Sequence, residues 1–382
     1  MKYLLLISLC IISCFCASPI EELTLSEEFS LSNIYSYLFE EPNRPTVEAD
    51  DKTRFFVIGD FGTLAGYYGL RKASLIMESL AAKQNYSHII TAGDNFYIMG
   101  IPNINFRLHP WLVTSVYRRD YIGQLKIYPT LGNHDCHSDY RNEILYSQYN
   151  DQWEMESDYY ELSTPLNDGS GKNFVNLMLN TCKLLCAEGN RTGQHYCESL
   201  HTEIGSPPVV EHYEWLEAKL KEHSTKNTTA WLAVTIHHPP FTNGSLKQYF
   251  LPLVRKYKVD FMFVGHEHWA EYSNMDPSDV IKLEGDTGDV INDCPKGTDE
   301  ILIKEEREHT FKKGEKLHQF VGGNSGTFLR HICPLKQQDG DLYFKNKQYN
   351  GIMSVEATSK EATINFHKTR DDIVYQIHVT NE

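Results

Sequence analysis

The side chains best equipped for chemistry sit where apolar runs stop. Ile89-Ile90-Thr91-Ala92 leads straight into Gly93-Asp94-Asn95-Phe96-Tyr97. A buried strand delivers a carboxylate to the C-terminal edge of a sheet in this way, and α/β proteins keep their sites at that edge. One carboxylate has two oxygens and can bridge two cations, while a tyrosine three residues on offers a phenolate to a hard, highly charged metal. Four more runs end alike. Arg54 to Ile58 ends in Gly59-Asp60, Ile127 to Leu131 in Gly132-Asn133-His134-Asp135, Trp231 to Ile236 in His237-His238-Pro239-Pro240, and Val259 to Val264 in Gly265-His266-Glu267-His268. A lone Gly-Asp is ordinary turn chemistry, and a lone loop histidine is ordinarily a surface or hydrogen-bonded residue. Carboxylate, amide and imidazole groups at five strand ends are not something core packing asks for.

Ligand arithmetic then points to two metals. Asp60, Asp94, Tyr97, Asn133, His237, His266 and His268 are too many oxygen and nitrogen donors for one four-coordinate zinc. They suit two ions about 3.5–4 Å apart that share a bridging carboxylate. Imidazole, carboxylate and phenolate fit iron, zinc or manganese and need no thiolate, so Cys136 reads as a buried thiol or disulfide partner.

The elements that must position these groups alternate. After the first strand, Leu70, Ala73, Met77, Leu80 and Ala81 share one helical face; after the third, Phe174 to Leu179 reads as a strand. A helix is expected from Val209, with Tyr213, Leu216 and Leu220 on its apolar face, and another over Phe250 to Tyr257. Residues 181 to 208 hold three cysteines and read as a disulfide-pinned loop. Residues 273 to 317 are charged, Gly-rich and aperiodic, and read as an excursion or lid. Three strand-like runs close the chain near 351–358, 361–368 and 372–380, the last alternating Ile373, Tyr375, Ile377 and Val379 on one face. Strand-helix alternation with an antiparallel end predicts an α/β fold of two packed sheets flanked by helices.

Composition limits the partners. The 382 residues carry a net charge of −15, which argues against nucleic acid and requires any phosphate site to be positive locally. Lys2 followed by the apolar run Tyr3 to Cys16 reads as a secretory signal cleaved near Ala17 (residues 1–17), although Ile11-Ile12-Ser13-Cys14 also resembles a bacterial lipoprotein cleavage site. No later apolar run is long enough for a transmembrane helix. Residues 18–52 are acidic and proline-punctuated, an arm or propeptide ahead of one domain over 53–382. Six cysteines remain past the signal: Cys136, Cys182, Cys186, Cys197, Cys294 and Cys333. Their even number suits disulfides of open connectivity. Asn85, Asn190, Asn227 and Asn243 are glycosylation acceptors, and a secreted, lysosomal or vacuolar destination follows.

The five blocks resemble the purple acid phosphatases among the calcineurin-like metallophosphoesterases, most closely the small tartrate-resistant type, over about Phe55 to Val379. The resemblance implies a four-layer α/β/β/α sandwich of two mixed sheets. It implies Fe(III) held by Asp60, Tyr97 and His268, a divalent Fe, Zn or Mn held by Asn133, His237 and His266, and Asp94 between them. It also implies hydrolysis of phosphate monoesters, small or protein-borne, by metal-activated water, with His134 orienting substrate and donating a proton. Two departures bear on substrate preference. Small members carry another active-site histidine soon after the position of His237, whereas Phe241 to Leu246 has none, leaving adjacent His238 as the substitute. The 273–317 stretch is also longer than in the small type. Two alternatives stay open. One is a non-catalytic scaffold, which predicts missing ligands; the other is a secreted phosphodiesterase, which would more often lack a tyrosine at position 97.

Overall fold

The structure, a computed structural model, describes residues 47–187, 207–242, 244–281, 302–303, 306–330 and 340–381. The expected signal, most of the acidic arm, and the acceptors Asn190 and Asn243 therefore lie outside the described residues; Asn85 and Asn227 are exposed.

In chain order the strands are β1 (Thr53–Ile58), β2 (His88–Thr91), β3 (Lys126–Pro129), β4 (Tyr160–Pro165), β5 (Asn173–Met178), β6 (Thr229–Thr235), β7 (Phe261–Val264), β8 (Ala270–Met275), β9 (Leu302–Ile303), β10 (Glu308–Lys312), β11 (Leu317–Gly322), β12 (Asp341–Asn346), β13 (Ile352–Ala357), β14 (Glu361–Thr369) and β15 (Asp372–Thr380). Among the described residues they form two sheets, ordered β10-β15-β14-β13-β1-β2-β3 and β4-β5-β6-β7-β11-β8-β12-β9. Both are mixed. β1, β2 and β3 run parallel, with Val57 opposite Ile90 and Ile90 opposite Tyr128, while β13 joins β1 antiparallel. β5, β6, β7 and β11 run parallel, and β8 reverses on β11.

Continuous apolar runs build the centre because parallel strands covered on both faces need no polar side. β1 and β7 are buried throughout. Phe55 of β1 meets Phe174 of β5 edge-on at 5.0 Å and Phe263 of β7 at 6.4 Å, joining the two sheets. The helix Tyr67–Ala81 buries the predicted Leu70, Ala73, Met77, Leu80 and Ala81. On the helix Pro207–Thr225, Leu216 and Leu220 are fully buried and Tyr213 packs against the core. The result is the α/β sandwich of two mixed sheets with flanking helices that the pattern predicts.

Two readings change, and one becomes specific. Residues 181 to 208 are not simply a loop: Thr181–Ala187 is helical and the next helix starts at Pro207. Cys136 is disulfide-bonded to Cys182, so the bridge ties that helix to the stretch following β3. Closing a loop of 46 residues is worth about 4 kcal/mol on the chain-entropy account. The Cys186 side chain, Cys197, Cys294 and Cys333 lie outside the described residues. Finally, the 273–317 stretch is not one excursion. β8 runs to Met275, β10 pairs with β15 in the first sheet, and Leu317 opens β11; residues 282–301 are not described. Short, polar or half-exposed strands such as β10 carry little periodicity to read.

Candidate metal centre

The C-terminal ends of β1, β2, β3, β6 and β7 converge on one point between the sheets. The convergence is tight enough to explain the glycine ahead of most candidate ligands. A Cβ on Gly132 would lie 2.2 Å from Asp94 Oδ1, and one on Gly265 would lie 2.6 Å from Asp60 Oδ2. Asp60, Asp94 and His266 adopt left-handed φ values of 54°, 54° and 68°; the one other described non-glycine residue with positive φ is Lys258. Such conformations cost on the order of 1–3 kcal/mol each and persist where the surroundings fix them. Local strain is concentrated here.

All seven predicted ligands meet, in two groups that share Asp94. In the first, Tyr97 Oη donates to Asp94 Oδ2 at 2.8 Å and lies 3.2 Å from Asp60 Oδ1 and 3.3 Å from His268 Nε2. In the second, Asn133 Oδ1 lies 3.0 Å from His237 Nε2 and 2.9 Å from His266 Nδ1, and those two nitrogens are 3.2 Å apart. His237 Nε2 is also 3.3 Å from Asp94 Oδ1.

Hydrogen-bond inventory tests whether this arrangement suits cations. His237 Nδ1 is 2.8 Å from the Ala92 carbonyl, and His268 Nδ1 is 2.8 Å from the Phe328 carbonyl. A carbonyl can only accept, so each Nδ1 carries a proton, and Nε2 is the ring atom that each histidine turns toward the centre. Asn133 Oδ1, His237 Nε2 and His266 Nδ1 thus crowd together within 2.9–3.2 Å, and although burial pushes His237 down, Asp94 and Asp60 raise it overall, so a positive charge is favoured at this point. Acceptors crowded this way fit a cation, and backbone-held imidazoles are how metal ligands are oriented. Electrostatics agree. Burial pushes the Tyr97 phenol well up, and Asp94 and Asp60 push it further. A phenolate at this place therefore needs a metal beside it. Burial also raises the Asp94 carboxyl, but His237, His134 and the His134 N–H outweigh that and hold it below its ordinary range.

The two predicted catalytic histidines part company. His134 keeps 20% of its side chain exposed; its Nδ1 lies 2.7 Å from the Ile98 carbonyl and its Nε2 3.9 Å from Asp94 Oδ2. It faces the mouth. His238 is 3% exposed, with Nδ1 2.8 Å from Thr181 Oγ1 and its ring packed against His266 at 4.6 Å. Burial, then the neighbouring His237, holds it well below the usual histidine range. It lies beside the second donor group rather than at the mouth.

Sequence reading missed two supports. Asp135 Oδ1 accepts from the Asn95 and Phe96 N–H groups at 2.9 and 3.0 Å, and its Oδ2 accepts from the Gly132 N–H at 2.8 Å. This bolts the Asp94 loop to the Asn133 loop. Glu143 Oε2 takes the Asn95 amide at 3.1 Å; burial, then Asp135, pushes the Glu143 carboxyl well up. The Asp after Asn133-His134 was the available signal. The second support is the loop after β11. Thr327 N–H donates to the Asp60 carbonyl at 2.9 Å, and the Phe328 carbonyl orients His268. The cluster Gly322-Gly323-Asn324-Ser325-Gly326 marks it in the sequence. Ile98 and Phe328, 75% and 67% exposed, form an apolar rim.

With this geometry in view, comparison with known proteins is decisive at the family level. The family model for calcineurin-like phosphoesterases matches residues 53–270, which hold all seven predicted ligands. The chain belongs to the calcineurin-like phosphoesterase family. This phosphoesterase is similar to Purple acid phosphatase 3 of Arabidopsis thaliana, 24% identical over 286 residues that cover 70% of this chain and 71% of the relative. It is also similar to the Tartrate-resistant acid phosphatase type 5 of Homo sapiens, 24% identical over 230 residues, covering 57% and 68%. Among solved structures it resembles purple acid phosphatase PPD1 from yellow lupin seeds, with a TM-score of 0.53 and 15% identity, covering 89% of this chain and 55% of that one. It resembles GAP50, the anchor in the inner membrane complex of Plasmodium, with a TM-score of 0.58 and 16% identity, covering 87% and 90%. Those two structural likenesses speak for the fold alone.

Proposed function

We propose that this phosphoesterase is a purple acid phosphatase of the secretory pathway, hydrolysing phosphate monoesters of small molecules or phosphoproteins at a dinuclear Fe(III)–M(II) centre. The observation that carries the reading is the pair of donor groups joined by Asp94, with the Tyr97 phenol in one of them. Asp60, Tyr97 and His268 would hold the ferric ion, and Asn133, His237 and His266 a divalent iron, zinc or manganese. When bound, the cations polarise the phosphate ester and acidify water, so no strong protein base is needed. The chain's own part is positional. Asp94 keeps the donor groups together, Asp135 fixes their loops, and His134 orients the ester.

His134 is the proton donor in this reading. With Nδ1–H donating to the Ile98 carbonyl, Nε2 is the atom aimed at the mouth, where it would hand a proton to the departing alcohol oxygen. His134→Ala is expected to slow an alkyl phosphate by ~10²-fold or more and an activated aryl phosphate far less. Equal losses on both would remove the acid role.

Export is supported by the signal-like residues 1–17 and by the Cys136–Cys182 disulfide, since such bonds persist in oxidising compartments. Among the described residues no helix is long and apolar enough to cross a membrane.

The deciding experiment is a visible spectrum with metal analysis on one purified sample. Two metals per chain and a broad purple band that disappears in Tyr97→Phe are expected. Metal without the band would reopen the phosphodiesterase reading. No metal after reconstitution would favour a scaffold, a use of this fold consistent with the likeness to the GAP50 anchor.

A further inference from the structure

Arg330 lies in the loop after β11 that also orients His268. Its backbone N–H donates to the His268 carbonyl at 3.2 Å, and two residues earlier the Phe328 carbonyl receives His268 Nδ1. The residue is half-buried. Among the described residues no carboxylate pairs with its guanidinium, in a protein with 51 acidic side chains against 36 basic ones. Four other arginines have carboxylate partners, Arg54 with Asp50 and Glu356, Arg118 with Asp151, Arg141 with Asp139 and Arg370 with Asp371, while Arg107, Arg119 and Arg255 bond backbone carbonyls instead.

The Arg330 charge reaches both donor groups. It opposes the upward push that burial and the carboxylates exert on Tyr97, and it adds to the downward push of burial and neighbouring histidines on His266. Elsewhere around the mouth the exposed side chains Ile98, Met99 and Phe328 are uncharged. The segment after His237 brings no imidazole between Phe241 and Leu246. A guanidinium presents a planar fork of donors that matches phosphate oxygens two at a time, and it keeps its charge at any working pH.

We infer that Arg330 is a substrate-binding residue whose guanidinium grips non-bridging oxygens of the phosphoryl group at the mouth of the centre. The inference rests on the phosphatase reading of that centre and adds to it the local positive charge that a net charge of −15 demands. Because the contact is to the phosphoryl group itself, its effect is the same whatever alcohol the ester carries.

The test is calorimetric titration of the metal-loaded protein with inorganic orthophosphate, alongside kinetics on an aryl phosphate and a phosphoserine peptide. Arg330→Ala is expected to weaken orthophosphate binding about 10–100-fold. It should raise KM for both substrates by a similar factor, with kcat and metal content little changed. Arg330→Lys, which keeps the charge but not the fork, is expected to recover part of the loss. Orthophosphate binding within twofold of wild type overturns the inference. So does a loss confined to one substrate, or a loss explained by missing metal. If the wild-type protein turned over no phosphomonoester, the phosphatase reading would fall. The orthophosphate titration would still decide Arg330, because unaltered or absent wild-type binding refutes it and an Arg330-dependent signal sustains it.

Discussion

Asp94→Asn is expected to lower kcat/KM by at least ~10³-fold and to cost the protein both cations, well beyond the 10–100-fold that outer partners of a metal site are worth. The reason is topological. Asp94 is 1% exposed and is the one group common to both donor sets, with Oδ2 on the Tyr97 hydroxyl at 2.8 Å and Oδ1 3.3 Å from His237 Nε2. Oδ1 also accepts the His134 N–H at 2.9 Å, so one carboxylate locates both halves and His134, the proposed proton donor. Asparagine keeps the shape but removes the charge and turns one acceptor into a donor aimed at lone pairs. The metal-free variant is expected to melt below metal-free wild type at neutral pH, because burial is outweighed by His237, His134 and the His134 N–H, which hold the carboxyl below its ordinary range and make its charge favourable in the fold. Metal analysis, kinetics and a melting curve on the same preparations check all three. Retention of both cations with less than a tenfold loss of activity would show that Asp94 does not join the two groups.

How much of this centre was legible in advance follows from what each part is made of. The seven donors are unusual residue types placed directly after apolar runs, mostly behind a glycine. Type and position therefore marked them as candidates, and the left-handed φ of Asp60, Asp94 and His266 shows that those strand ends are conformationally specialised. The supports were hidden because they act through ordinary groups. Asp135 works by accepting backbone N–H bonds from Asn95 and Phe96, about forty positions earlier, and the β11 loop by a single carbonyl. No local pattern encodes either partnership. The same holds for the fold. β1 and β7, fully buried, and β6, buried past Thr229, were plain from composition; β4, partly exposed and ending at Pro165, was not. The bond from Cys136 to Cys182 needed the two sheets to be packed before it could be seen.

His212→Phe is expected to protect the protein in acid, the condition in which the proposed activity works. His212 is fully buried on the helix Pro207–Thr225, stacked on Tyr159 with ring centroids 4.0 Å apart. Neither ring nitrogen has a hydrogen-bond partner among the described residues. Burial, with the nearby Lys183 charge adding to it, pushes its pKa down to about 3. The sign follows from linkage. The unfolded chain takes up a proton near pH 6.5 and the folded protein does not until about pH 3, so stability is full above the upper value and falls as pH drops through that window. Between pH 7 and pH 5 this one residue removes about 2 kcal/mol. His88 and His318, pushed by burial to about 3, and His367, to about 4, pull the same way. Asp135, raised by burial and Asp94 to about 6, pulls the other way, because its folded form gains a proton that the unfolded form still lacks. A single-site comparison cancels these shared contributions. Phenylalanine fills the same stack with no nitrogen to protonate, so urea midpoints of wild type and variant should nearly coincide at pH 7 and separate in favour of the variant at pH 5. Curves that stay parallel from pH 7 to pH 5 would mean that His212 takes up its proton inside the folded protein.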